Sequence, residues 1–217
     1  MQETALTITG YHDAAVPNRF FRHDGAVSHL AIVLPGYGYN CDMPLLYFTT
    51  SHLLDQNVEV LQVDYTYSRL PEYRALDAEE RQRWLVADVT AACRAALAQR
   101  KYQRITLIGK SLGTRAMAHL LATEGALQNA ATVWFTPPWQ EEPIRACLLA
   151  TRQPALVVIG TADPYYNPDF AAEIRQAING ELVVVADAEH GLEVTGDVVR
   201  SVQAIEQAMH AVQRFIK

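Results

Sequence analysis

The sequence predicts an α/β fold built on a mostly parallel sheet. Three observations carry that reading. From Leu30 to the end of the chain, short apolar runs alternate with longer amphipathic stretches, the pattern of strands joined by crossover helices. The runs are almost continuously apolar, as strands covered on both faces by helices are. Half of the 217 residues are apolar, enough to bury a substantial core in one domain spanning 1–217.

Taken in order, Ala5–Gly10 (A-L-T-I-T-G) alternates as a strand does, and Asn18–His23 is its expected partner across the turn residues of Tyr11–Pro17, forming an antiparallel edge. His29–Leu34 (H-L-A-I-V-L) is a buried strand that stops at Pro35-Gly36-Tyr37-Gly38-Tyr39-Asn40. Leu45–Leu54 is the crossover helix to the strand Val58–Asp64. Asp77-Ala78-Glu79-Glu80 is a capping box, in which the first and last carboxylates satisfy free N–H groups reciprocally, and it opens a helix to about Arg100. The strand-compatible Ile105–Ile108 runs into Gly109-Lys110-Ser111-Leu112-Gly113, after which Arg115–Leu121 turns helical. Ala131–Thr136 is a strand stopped by Pro137-Pro138, and Glu141–Thr151 is a helix, the one segment there that could act as a lid. Ala155–Gly160 and Glu181–Ala186 are strands on either side of a helix over Pro168–Ile178 that ends at Asn179-Gly180. The last helix, Asp197–Phe215, puts Val198, Val202, Ile205, Met209, Val212 and Ile216 on one stripe. The strands number about eight.

The net charge of -6 argues against a nucleic-acid surface. No stretch has the length of a membrane-spanning helix. Met1-Gln2-Glu3-Thr4 lacks the basic-then-apolar pattern of a signal peptide. Cys41, Cys93 and Cys147 are odd in number and have no metal-like spacing. They read as reduced thiols of a cytoplasmic protein. Oligomeric state leaves no mark in the sequence.

The strand, Gly-x-Ser-x-Gly, helix succession around Ser111 is the pattern of a nucleophile elbow, a sharp turn that holds the serine oxygen clear of the backbone. Gly109 and Gly113 let strand and helix pass closely, and the amino-terminal N–H groups of the helix favour a developing oxyanion. Two further strands end in chemically useful residues. Ala155–Gly160 is followed by Thr161-Ala162-Asp163-Pro164, and Glu181–Ala186 by Asp187-Ala188-Glu189-His190-Gly191. A nucleophilic serine needs a base within hydrogen-bond reach, and the base needs a carboxylate to fix its tautomer. Asp187 and Glu189 are rivals to Asp163 but sit too near His190 in sequence to orient it easily. A metal site at Glu189, His190 and Glu193 lacks a second histidine at ligand spacing. The other six histidines fit surface or structural roles.

In P-G-Y-G-Y-N, I-G-K-S-L-G-T, G-T-A-D-P and A-E-H-G-L, spread along nearly the whole chain, the sequence resembles the α/β-hydrolase superfamily, in which serine, acid and histidine follow in this order. The resemblance implies an α/β-hydrolase fold with minimal or no cap domain. It implies that Ser111 is the nucleophile, His190 the general base and Asp163 the acid, with an oxyanion hole from the backbone N–H groups of Leu112 and Tyr37. Pro35 departs from the commonest pattern, standing where many members carry histidine. Lys110 beside the serine looks like a dienelactone-hydrolase-like branch, with serine for that enzyme's usual cysteine. Tyr37, Tyr39, Tyr165 and Tyr166 lie in loops at the expected active face, and Tyr39, Pro137 and Tyr165 are the expected pocket residues. Lys110 is expected to be solvated or ion-paired. The expected activity is hydrolysis of a small or medium ester or thioester through an acyl-enzyme, with no metal or organic cofactor and no nucleic-acid or membrane partner. Other triad chemistry on the same fold (acyltransferase or C–C hydrolase) and a non-catalytic binding protein are the alternatives.

Overall fold

The structure is a computed structural model that describes residues 1–217. The apolar runs form strands and the amphipathic stretches helices, in this order: β1 (Gln2–Thr4), β2 (Asn18–Arg22), β3 (His29–Leu34), α1 (Pro44–Asp55), β4 (Glu59–Val63), α2 (Pro71–Ala75), α3 (Ala78–Leu97), β5 (Arg104–Lys110), α4 (Leu112–Thr123), β6 (Ala131–Phe135), α5 (Glu142–Ala150), β7 (Pro154–Gly160), α6 (Pro168–Ala177), β8 (Asn179–Val185) and α7 (Val198–Phe215). The eight strands make one sheet in the order β1-β2-β4-β3-β5-β6-β7-β8. Strands β3 to β8 run parallel, and β1 and β2 form an antiparallel edge beside β4.

Side chains on the two faces of the sheet feed two cores. On one face, Leu30, Leu107, Trp134 and Val157 pack with Leu85 and Val89 of α3, Met117 of α4, Ile144 of α5 and Ile174 of α6. On the other, Ala31, Ile108, Val133 and Val158 pack with Leu45, Leu46 and Leu53 of α1 and Ala204, Ala208 and Ala211 of α7. Burial on both faces is why the inner strands read as continuous apolar runs. One half of the expected capping box forms, the Asp77 carboxylate accepting the Glu80 N–H at 2.8 Å; the Glu80 carboxylate does not return the bond to the Asp77 N–H.

Three expectations are corrected. The first strand is Gln2–Thr4, and Ala5–Gly10 contributes only an isolated bridge between Thr9 and Ala15. The Asn18 amide, twelve positions on, takes both the N–H and the C=O of Leu6, at 2.9 Å each, which draws the chain off the ladder. Asn179-Gly180 does not merely end a helix but opens β8, with Gly180 in register with Ala155. The buried face of α7 is Ala204, Ala208, Ala211 and Val212, whereas Val198 and Val202 are exposed and Ile205 and Met209 only flank the core. Alanines let the helix approach the sheet and α1 closely, so the small residues face inward; of the expected stripe, Val212 and Ile216 are buried in this core, and the amino-terminal part lies to one side.

Candidate active site

The turn between β5 and α4 holds Ser111 at φ 51° and ψ −110°, a left-handed conformation that serine rarely adopts. Such strain costs on the order of 1–3 kcal/mol and persists only where the surroundings impose it. Here they do. The Ser111 N–H donates to the Phe135 carbonyl at 3.0 Å, and its carbonyl accepts from the Thr114 hydroxyl at 2.6 Å. Gly113 faces the end of β3 so closely that a Cβ would lie 2.0 Å from the Leu34 carbonyl oxygen. That approach brings the Pro35–Tyr39 turn against the serine, the Cβ position of Gly36 being 3.6 Å from Ser111 Cβ. A twelve-residue helix, α4, starts directly behind Ser111 and directs the positive end of its dipole there.

Asp163 and His190 come to the same place from the carboxyl ends of β7 and β8. His190 Nε2 lies 2.8 Å from Ser111 Oγ, and His190 Nδ1 lies 2.8 Å from Asp163 Oδ2. With the Nδ1 proton donated to the carboxylate, Nε2 is left as an acceptor for the serine hydroxyl. Asp163 is buried, and its second oxygen accepts the Tyr165 N–H at 2.9 Å. The Tyr165 ring meets the imidazole edge-on, with centroids 5.3 Å apart. The rival carboxylates are engaged elsewhere: Asp187 pairs with Arg200 at 2.6 Å and Glu189 accepts from the Thr195 hydroxyl. The N–H of Tyr37 donates to no group of the fold, and that of Leu112, first residue of α4, has no intrahelical acceptor.

The sequence pattern of the family described as an alpha/beta hydrolase domain matches residues 29–217. The chain belongs to the α/β-hydrolase family. Among solved structures this hydrolase is similar in fold to an α/β serine hydrolase without lid from Xanthomonas campestris, with a TM-score of 0.69, 20% identity and coverage of 98% of this chain and 94% of that one. It is similar also to an esterase of Pyrococcus furiosus (TM-score 0.69, 17% identity, covering 100% and 92%). A third is Est1E of Butyrivibrio proteoclasticus with ferulic acid bound (TM-score 0.70, 14% identity, covering 97% of each chain). No curated protein matches the chain by sequence. As in the lidless structure, there is no cap domain: only α5 follows β6 before β7 begins.

A cavity of about 280 Å³ opens at Ser111 and Leu112, walled by Tyr37, Tyr73, Arg81, Arg115, Pro138 and Tyr165. Arg115 forks onto Glu141 just ahead of α5, tying the segment after β6 to α4. Tyr165 lines this cavity, but Tyr39 and Pro137 do not. Tyr39 turns inward, where its hydroxyl accepts the Leu45 N–H at 2.9 Å and so caps the first turn of α1. The turn that begins at Thr136, with φ 45°, leaves Pro137 buried and gives Pro138 to the cavity. Tyr73 lies within the short helix α2 and Arg81 in the first turn of α3, beside the Asp77 cap; the sequence signals there, Pro71 at the start of α2 and the capping box of α3, mark helix starts and say nothing of a cavity.

Lys110 departs furthest from expectation. It is neither solvated nor ion-paired: it is 1% exposed, with its Nζ donating to the His190 carbonyl at 2.7 Å and lying 5.1 Å from the centre of the Tyr39 ring. It shares the strand face of Ile108, which looks into the α1/α7 core. Burial pushes its ionisation down to about 7, against the opposing pull of Asp163.

Proposed function

We propose that this α/β hydrolase is a cytoplasmic serine esterase or thioesterase acting on small or medium acyl groups. The observation that carries the reading is the unbroken hydrogen-bond chain from Ser111 through His190 to the buried Asp163, at 2.8 Å for each link. His190 Nε2 takes the proton of Ser111 Oγ as that oxygen attacks the substrate carbonyl, and Asp163 stabilises the imidazolium that forms. The N–H groups of Tyr37 and Leu112 receive the oxyanion, with support from the α4 dipole. The leaving alcohol or thiol departs with the proton from His190, and water repeats the path to release the acid and restore Ser111. The cavity volume of about 280 Å³ favours short acyl chains or one flat ring, and its tyrosine walls suit either. The three cysteines are all free thiols, which supports a reducing compartment.

The test is hydrolysis of p-nitrophenyl acetate, butyrate and octanoate by wild type and Ser111→Ala, with fluorophosphonate labelling in parallel. The expected result is turnover that favours the shorter chains, one label per chain at Ser111, and a loss on the order of a thousandfold or more in the variant. Equal activity in Ser111→Ala would refute the proposal.

A further inference from the structure

Lys110 is the one buried charge at the site that the acyl-transfer chemistry does not use. It has no carboxylate within 4.0 Å to offset its burial, and an ammonium taken from water without one is costly. An apolar side chain of the same length would fill the space without that cost. What the lysine obtains is one bond, and that bond has an unusual position. The His190 carbonyl receives no backbone N–H, so the ammonium is its sole donor within the fold. Lys110 is the residue next to Ser111. The side chain therefore spans from the backbone that carries the hydroxyl to the backbone that carries the imidazole.

The loop it reaches needs holding. Asp187 and Leu192, on either side of His190, both have left-handed backbone, at φ 59° and 58°, which is uncommon for residues other than glycine and especially for a bulky side chain. Ahead of His190 the loop is tied by the Asp187 N–H on the Thr161 hydroxyl at 2.8 Å, by the Asp187–Arg200 pair and by the Ala162 N–H on the Ala188 carbonyl at 3.0 Å; at His190 itself the backbone carbonyl is held by Lys110, from beneath. The charged and titratable groups that face the ammonium are Asp163 after β7, His190 after β8, and the Tyr39 ring after β3.

We propose that Lys110 is a positioning residue for His190: by gripping its carbonyl, it fixes where the imidazole meets Ser111 Oγ and Asp163. The proposal rests on the acyl-transfer reading for its kinetic consequence but not for its structural one. Lys110→Met keeps the length of the side chain and removes the donor; Lys110→Arg keeps a charged N–H donor. In Lys110→Met, kcat per labelled site falls on the order of ten- to a hundredfold, as expected for a shift of ~1 Å in a reacting group. KM stays within about twofold, because Lys110 lies outside the cavity lining. Lys110→Arg recovers part of the loss. Counting sites by fluorophosphonate normalises each rate to folded protein, so a variant that only misfolds shows fewer sites at an unchanged rate per site.

A second readout needs no substrate. The low-field proton resonance of His190 Nδ1, which reports its bond to Asp163, shifts or broadens in Lys110→Met and is retained in Lys110→Arg. An unchanged rate per site, or an unchanged resonance, overturns the proposal. If wild type fails to label at Ser111, the hydrolase reading fails, and the resonance alone decides for or against the positioning role.

Discussion

Gly160, the last residue of β7, offers a severe test of how the site is assembled. A Cβ built there would stand 1.9 Å from the Ala188 carbonyl oxygen and 2.5 Å from its carbonyl carbon. Both atoms are backbone, so no side chain can swing aside. Reaching an ordinary contact of 3.4 Å from 1.9 Å requires the β7 end and the loop after β8 to part by about 1.5 Å. Ala188 is two residues from His190, and its carbonyl accepts the Ala162 N–H at 3.0 Å, beside Asp163. Gly160→Ala therefore pulls apart the two turns that hold Asp163 and His190 2.8 Å from one another. Overpacking of this kind costs ~1–3 kcal/mol of stability, and, on the proposed mechanism, a shift of ~1 Å in the His190 imidazole costs on the order of a hundredfold in rate. The assay is p-nitrophenyl ester hydrolysis per fluorophosphonate-labelled site, with a thermal melt. Gly125→Ala is the control, since nothing lies within 4 Å of its Cβ position; it should alter stability by no more than about 0.5 kcal/mol. Wild-type rate and melting temperature in Gly160→Ala would refute the account of how the loops are clamped.

Other predictions follow from individual residues. Burial, with a contribution from Arg104, lowers the ionisation of His29 from 6.5 to about 4. The unfolded chain then binds a proton between those values that the folded chain does not, so stability falls as pH drops from about 6.5 to about 4, by about 3 kcal/mol in all. Denaturant melts of wild type and His29→Gln at pH 7.5 and pH 4 should show that difference shrinking or vanishing in the variant; equal pH slopes would refute it. Asp77→Ala removes the acceptor for the Glu80 N–H and should cost ~1 kcal/mol in the same melts, with the rate per labelled site unchanged. On α7, Val202→Glu should stay within about 0.5 kcal/mol because Val202 is exposed. Ala208→Glu, a charge on the fully buried face, should cost several kcal/mol or prevent folding.

The difference between Val202 and Ala208 illustrates where sequence reading stops. Periodicity located α7 and its length, but which side of the helix faces inward depends on how near it sits to α1 and β8, and alanine carries too little hydrophobic signal to announce that. Ala5–Gly10 illustrates the same limit. Its alternation is that of a strand, yet the amide of Asn18 competes for the backbone of Leu6, and a bond across twelve positions leaves no local trace.

For the site, chain order and motif spacing carried the architecture and the expectation that Ser111, Asp163 and His190 meet, as they do at 2.8 Å per link. Strand-ending turns in a parallel sheet gather at one edge, so chain order alone brings the neighbourhoods of Ser111, Asp163 and His190 together. Only the tertiary structure decided the rest. It selected Pro138 over Pro137 and set Tyr39 to capping α1, because the direction of a side chain in a turn depends on backbone angles that composition does not specify. It brought Tyr73 and Arg81 to the cavity from helix starts whose sequence signals concern capping alone. It also buried Lys110 beneath His190, since alternation along β5 tells which face a residue takes but not whether water or a backbone carbonyl awaits it there.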